Sequence, residues 1–415
     1  MIAVGGWTFS ILFAAIFFAL REWMKRSEAA KAKEVRWPRA ERARNTNAHP
    51  SPTRTSNPTQ ARVVYLNGAY MDAKDARVSV DDRGFLFADG VYEVTRVAGE
   101  FIQCEGPHFD RLRNGLRQLQ LDEGVVDKLP GIVRELVKRN HVAGDSFVYI
   151  QVTRGGESPR AHAWAGTAVK PTVYARITPF TFPKEEDFAV GKTATVEMDM
   201  RWQMCHLKTV SLLPNVLANN RAKEAGAYEA LFSRFIDPQG MLGIVEASHS
   251  NVFAVLTAPD GTKRLVTPPL RNILPGVTRG QTLERGRRDV TLMAALAAVN
   301  VTDIVEGDIP LPAILNGACT ELMVTASTSF VAPITSITNT PGGSLSGQQW
   351  VKWKVGNGEV GPVATALRAA WIRWWSEDKA AHERGPAAAP PAAAQAAAAA
   401  APPAGALLPE AKKND

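Results

Sequence analysis

Lys208 stands in HLKTVSLLPN, between a strand signal and a helix signal. A lysine there is ordinarily solvated, but a buried amine can serve as a base or attack a carbonyl. Glu246 comes just before a strand in VEASHSNVF, where its plainest role is an exposed salt-bridge partner. In ILPGVTR the amides of Val277 and Thr278 open a helix. Such a terminus can bind phosphate through its free N–H groups and its dipole, although many helices begin this way and bind nothing.

The elements that must hold these groups alternate strands with helices. VVYLNGAYM (63–71) reads as a hairpin turning at Asn67-Gly68. HFDRLRNGLRQLQL puts Phe109, Leu112, Leu116 and Leu119 on one helical face. SFVYIQVTR, ended by Gly155-Gly156, and KPTVYARITPF are strands. KTATVEMDMRW is expected to turn Ala194, Val196, Met198 and Met200 inward. Pro214 opens a helix that Gly226 closes. YEALF and NVFAVL are further strands, and GVTRGQTLERGRR starts a helix at a glycine. The fold class expected is α/β (α+β). It comprises a small domain over 63–182, a linker at 183–189 and a larger domain over 190–384.

The 415 residues, 45% hydrophobic and 21% charged, suffice for two domains with a sizeable core. The net charge of +7 comes largely from an Arg/Lys-rich stretch before residue 45, so it says little about partners of the folded body. No zinc spacing or recognition helix points to nucleic acid. Cys104, Cys205 and Cys319 are odd in number and far apart, so no disulfide framework or metal site is indicated. Residues 4–20, VGGWTFSILFAAIFFAL, carry no charge and are followed by Arg21, Lys25 and Arg26. That run is just long enough for a membrane tether that keeps the body in the cytosol. An organelle-targeting segment (plastid or mitochondrion) and a plain flexible terminus are the other readings. Within 1–62, residues 45–60 have a linker's composition, and the tail over 385–415 is Ala/Pro low-complexity; both lie outside the expected catalytic body.

The order of blocks from Val63 to Trp375 resembles the fold-type IV pyridoxal 5'-phosphate (PLP) enzymes, the D-amino acid and branched-chain aminotransferase family. Those blocks are VSVDDRGFLFADGVYEVTRV, HFDRLR, HLKTVSLLPNVLANNRAKEAGAYEALF and the stretch from Glu246 to Arg279. The resemblance implies that the cofactor lies in a cleft between the two domains, with Lys208 at the family's Schiff-base position. Lys208 would carry a proton between the substrate α-carbon and the cofactor. It implies that Glu246 keeps the pyridine nitrogen protonated, which strengthens the electron sink. Arg111, the Val277 and Thr278 amides and Ser327 (where the family has a threonine) would take the phosphate. Leu274 would pack on the ring, and Tyr92 would stand beside cofactor and substrate. The competing roles for Leu274 and Tyr92 are ordinary core residues. The family often has Glu where this chain has Phe330.

GGESPRAHAW (155–164) contains Ser-Pro-Arg-x-His, which resembles the carboxylate trap of D-amino acid aminotransferases. Arg160 and His162 would then hold the substrate's α-carboxylate with Tyr92, the guanidinium fork matching the carboxylate. In that family the pair reaches into the neighbouring subunit's site, so a homodimer is implied. The alternative is an exposed loop that contains an Arg and a His by chance. The reaction implied moves an amino group from a D-amino acid, D-alanine first, to a 2-oxo acid, either 2-oxoglutarate or pyruvate. Branched-chain L-amino acid aminotransferase, 4-amino-4-deoxychorismate lyase and a tethered binding protein without catalysis are the other readings.

Overall fold

Asn67 and Gly68 both take positive φ, 49° and 98°, the backbone that a two-residue hairpin turn requires. They join β1 (Val63–Leu66) to β2 (Ala69–Asp72) as an antiparallel pair, as the sequence predicts. The structure, a computed structural model, describes residues 63–164, 169–339 and 351–385. The apolar run over 4–20, expected as a membrane tether or a targeting segment, lies outside the described residues. So do the linker at 45–60 and all but the first residue of the Ala/Pro tail. Among the described residues, no helix is long and apolar enough to cross a membrane.

The chain continues through α1 (Arg83–Phe87), β3 (Gly90–Ala98), β4 (Phe101–Ile102), α2 (Glu105–Gln118), α3 (Leu129–Arg139), β5 (Asp145–Thr153) and β6 (Thr172–Pro179). Its strands form a six-stranded antiparallel sheet in the order β2-β1-β6-β5-β3-β4. In β5, Ser146, Val148, Ile150 and Val152 are buried at every second position, so one face of the strand meets the core. Phe109, Leu112 and Leu116 recur three or four apart on α2, as do Leu129, Ile132, Val133 and Leu136 on α3. Each helix therefore lays one apolar stripe on that face.

Beyond β6, the short helix α4 (Glu186–Ala189) occupies most of the stretch expected as a bare linker. Then come β7 (Lys192–Met198), α5 (Leu213–Glu224), β8 (Glu229–Phe235), β9 (Leu242–Ala247), β10 (Asn251–Thr257), β11 (Lys263–Thr267), α6 (Val277–Glu284) and α7 (Val290–Ala297). They are followed by β12 (Val301–Glu306), β13 (Ile309–Pro310), α8 (Leu311–Leu315), β14 (Cys319–Ala326), β15 (Phe330–Asn339), β16 (Lys352–Lys354) and α9 (Pro362–Glu383). These strands build a ten-stranded mixed sheet, β12-β11-β10-β14-β15-β7-β8-β9-β13, with β16 alongside β15. The result is a mixed α+β fold, as the sequence predicts.

β7 corrects one expectation. Rather than alternating, it buries Ala194, Thr195, Val196 and Glu197 in succession and ends at Met198, leaving Met200 78% exposed. The cause is position. β7 lies between β15 and β8, parallel to both; Ala194 and Val196 join the core on one face, and on the other α5 covers Glu197, which accepts from Arg221, so neither face is left to solvent.

Candidate active site

Lys208 lies on the irregular segment between β7 and α5, and the first sheet holds that segment in place. The amide of Tyr92 donates to the Lys208 carbonyl at 2.9 Å, and the Val210 amide donates to the Gly90 carbonyl at 3.1 Å. Gly90 also lets β3 pack closely on β5, since a Cβ there would meet the Val152 carbonyl oxygen at 2.7 Å. The Lys208 side chain turns back over Tyr92, with Nζ 4.3 Å from the ring centroid. Tyr92 itself stacks on Tyr149 at 5.7 Å. α5 then begins with Pro214 in its first turn, and Gly226, at φ 68°, follows its end, as expected.

Around Lys208 opens a cavity of about 690 Å³ that Arg111, Glu246, Leu274, Val277, Thr278 and Ser327 also line. That volume suits a cofactor-sized ligand with its substrate. Glu246 was expected just before a strand. It does precede β10, is itself the penultimate residue of β9, and is only 4% exposed rather than an exposed salt-bridge partner. Its Oε1 accepts from the Leu274 amide at 3.0 Å and from Asn251 Nδ2 at 3.2 Å, and its Oε2 accepts from Arg201. Burial pushes this carboxyl up, and Arg201 with the Leu274 amide only partly offsets that. Each carboxylate oxygen has two lone pairs, so Oε2 keeps an acceptor for a protonated ring nitrogen.

Another part of the cavity's lining could take an anion. Arg111 donates from Nε and NH2 to Glu93 at 2.6 and 2.8 Å, and from NH1 to the Pro275 carbonyl at 3.1 Å. A guanidinium has five donors, so others remain for an anion. Burial alone would raise the Glu93 carboxyl, but Arg111 and His108 hold it far below the usual carboxylate range. His108, also buried, bridges Glu93 (2.9 Å from Nδ1) to the Ser327 hydroxyl (3.2 Å from Nε2). Gly276 precedes α6 and offers no side-chain cap. The first amides, those of Val277 and Thr278, are thus left for another acceptor. A Cβ at Gly276 would fall 1.8 Å from Asn251 Oδ1, so only glycine fits this cradle.

An amine, a buried carboxylate and a basic, amide-lined end in one cavity match the aldehyde, ring nitrogen and phosphate of PLP. The structure brings together eight of the ten residues singled out from the sequence. Arg160 and His162 stand apart, exposed and absent from the lining of this cavity. Sequence reasoning missed Glu93, His108, Arg201 and Asn251. His108 carried a signal, because it is three residues before Arg111 on α2 and so shares its face. Arg201 carried none, since the partner through which it reaches the cavity, Glu246, meets it only in the folded chain.

Residues 90–337 match the family model for amino-transferase class IV. The chain is 32% identical over 313 residues to D-alanine aminotransferase of Staphylococcus haemolyticus, covering 75% of this chain and 97% of that protein. It is 30% identical over 308 residues to D-alanine aminotransferase of Bacillus licheniformis, covering 74% and 95%. A solved branched-chain amino acid aminotransferase from Escherichia coli superposes with a TM-score of 0.58 at 19% identity, covering 75% of this chain and 93% of that one. At such identity the superposition speaks for the fold alone.

Proposed function

The chain belongs to the amino-transferase class IV family and is a PLP-dependent aminotransferase, and from that premise we propose that its donors are D-amino acids, D-alanine foremost. The acceptor is 2-oxoglutarate or pyruvate. The strongest support is the single cavity that gathers Lys208, Glu246 and Arg111 in a chain similar to D-alanine aminotransferases along nearly their whole length.

In this reading Lys208 holds the cofactor's aldehyde through its amine. Arg111, the Val277 and Thr278 amides and the Ser327 hydroxyl hold the phosphate. Glu246 hydrogen-bonds the ring nitrogen, and Leu274 packs on the ring. When bound, the cofactor supplies an electron sink for the pair left on the substrate's α-carbon. With its amine free, Lys208 would take the proton from the substrate's α-carbon and give it to the cofactor carbon that had carried the aldehyde, on the same face. The Tyr92 ring, 4.3 Å from Nζ, would help to place the amine.

Arg160 and His162 hold the substrate's α-carboxylate, and the side on which it is held decides which hydrogen meets Lys208. Because both residues lie away from their own chain's cavity, this reading requires a homodimer in which each loop serves the other subunit. The two sheets are the cores of two domains, 63–182 and 190–384, with 183–189 as the link.

A panel tests the assignment. The purified holoenzyme is assayed with D-alanine, D-glutamate, L-leucine and 4-amino-4-deoxychorismate under one set of conditions. Fastest turnover with a D-amino acid is expected. Preference for L-leucine, or release of pyruvate from aminodeoxychorismate, would replace the D-specific reading with the branched-chain or lyase one.

A further inference from the structure

Arg160 and His162 are exposed, yet neither side chain is loose. The Phe87 ring lies beneath both, with its centroid 4.3 Å from Arg160 Cζ and 5.3 Å from the His162 ring. Arg83, one turn earlier on α1, holds the backbone of the same loop. It is 4% exposed and donates from NH1 to the Ala161 carbonyl at 2.6 Å and from NH2 to the His162 carbonyl at 2.8 Å. Its Nε donates to Asp89 at 3.0 Å, and Asp89 also accepts from Arg154 at 2.7 Å. Arg83 NH1 further reaches Glu157 at 3.3 Å.

α1 is in turn fixed to the sheet. Asp82, 1% exposed, accepts from the Gly84 amide at 2.8 Å, the Thr153 hydroxyl at 2.9 Å and the Thr172 hydroxyl at 2.6 Å. A carboxylate thus bolts a one-turn helix to β5 and β6, and that helix presents one guanidinium to loop carbonyls and one aromatic face to loop side chains. A free arginine loses much rotamer freedom when it grips a ligand. A face that already holds the guanidinium reduces that loss, which is preorganisation.

We propose that Arg83 and Phe87 are positioning residues for substrate recognition: Phe87 sets the side chains of Arg160 and His162, and Arg83 sets the loop backbone that carries them. This rests on the reading of Arg160 and His162 as the α-carboxylate anchor.

The test compares holoenzyme variants Phe87→Leu, Phe87→Tyr, Arg83→Lys, Arg160→Ala and the double variant Phe87→Leu/Arg160→Ala, with D-alanine varied at saturating 2-oxoglutarate. Phe87→Leu keeps apolar volume but removes the π face. It should raise KM about 2- to 5-fold, the size of an exposed cation–π contact, with kcat little changed. Phe87→Tyr should restore KM, and Arg83→Lys, which cannot span two carbonyls, should raise it. In the double variant the Phe87→Leu effect should shrink to the part that acts through His162, because the ring no longer has a guanidinium to position. Effects that simply multiply, or an unmoved KM in both Phe87→Leu and Arg83→Lys while Arg160→Ala raises it, would overturn the positioning role and leave the anchor standing. An unmoved KM in Arg160→Ala would remove the anchor, and the positioning role with it. Cofactor content and melting temperature, measured on each variant, identify any that fails to fold.

Discussion

Lys208 and Tyr92 meet twice, once through the backbone, where the Tyr92 amide donates to the Lys208 carbonyl at 2.9 Å, and once where Nζ sits 4.3 Å from the Tyr92 ring centroid. The backbone contact does not need the lysine side chain. Lys208→Ala should therefore keep the loop, the fold and nearly the same melting temperature, while turnover falls by at least about 10²-fold, as loss of a proton-transferring group does. Borohydride reduction followed by peptide mapping should fix cofactor on residue 208 of the parent protein and none there in the variant. Ordinary turnover by Lys208→Ala would end the assignment.

The Glu93–His108–Arg111 wall of the cavity should be sensitive to acid. Burial holds the His108 imidazole below its usual 6.5, and Arg111 with His108 overcomes burial to hold Glu93 below its usual 4.5. A group whose pKa is depressed by folding contributes stability above its unfolded value and loses it as pH falls toward the folded one. Stability should thus start to fall below about pH 6.5 as His108 is forced to charge, and fall further below about 4.5 as Glu93 takes a proton. Glu93→Gln should cost about 3–5 kcal/mol at neutral pH, because Arg111 keeps its charge without its buried partner. It should also flatten the profile below pH 4.5. Urea unfolding across this range checks both, and a flat profile in the parent protein would contradict them.

How far the site could be read from the sequence follows from the range of each interaction. Lys208, Glu246 and the Val277–Thr278 turn belong to segments whose local order carries the signal, and the structure places them around one cavity. Asn67-Gly68 and Pro214 were legible because turn and helix-start chemistry is local. Arg201, Asn251 and Glu93 were not, since each matters through a partner supplied by another element. The β7 pattern failed because its second face is covered by α5, a later segment that the strand's own residues do not announce.

Gly276 should tolerate no side chain. A methyl group there would come within 1.8 Å of Asn251 Oδ1, and Asn251 Nδ2 donates both to Glu246 and, at 3.0 Å, to the Leu274 carbonyl. Moving Asn251 therefore disturbs Glu246 and the segment from Leu274 that leads into α6 together. Gly276→Ala should cost about 1–3 kcal/mol of stability, as overpacking does, and should weaken cofactor affinity. Titration of apoenzyme with PLP, followed by quenching of tryptophan fluorescence, measures the affinity. Unchanged affinity would mean that the cradle plays no part in holding the phosphate.

Arg160 and His162 lie outside the cavity of their own chain, so the proposed anchor can work only across a subunit boundary. Two crippled variants decide whether it does. Lys208→Ala lacks the proton carrier, and Arg160→Ala should lose about 1.5–3 kcal/mol of substrate binding. If each loop serves the neighbouring site, a mixed dimer contains one site with both defects and one with neither. Unfolding, mixing and refolding the variants in equal amounts should then recover about a quarter of the parent sites, assayed at low D-alanine, given random pairing of a two-fold dimer. If the loop served its own chain, every site would carry one defect and mixing would recover nothing. Recovery that scales with the measured fraction of mixed dimer would establish the shared site. Its absence, with mixed dimers present, would mean that the loop does not serve the neighbouring subunit's site.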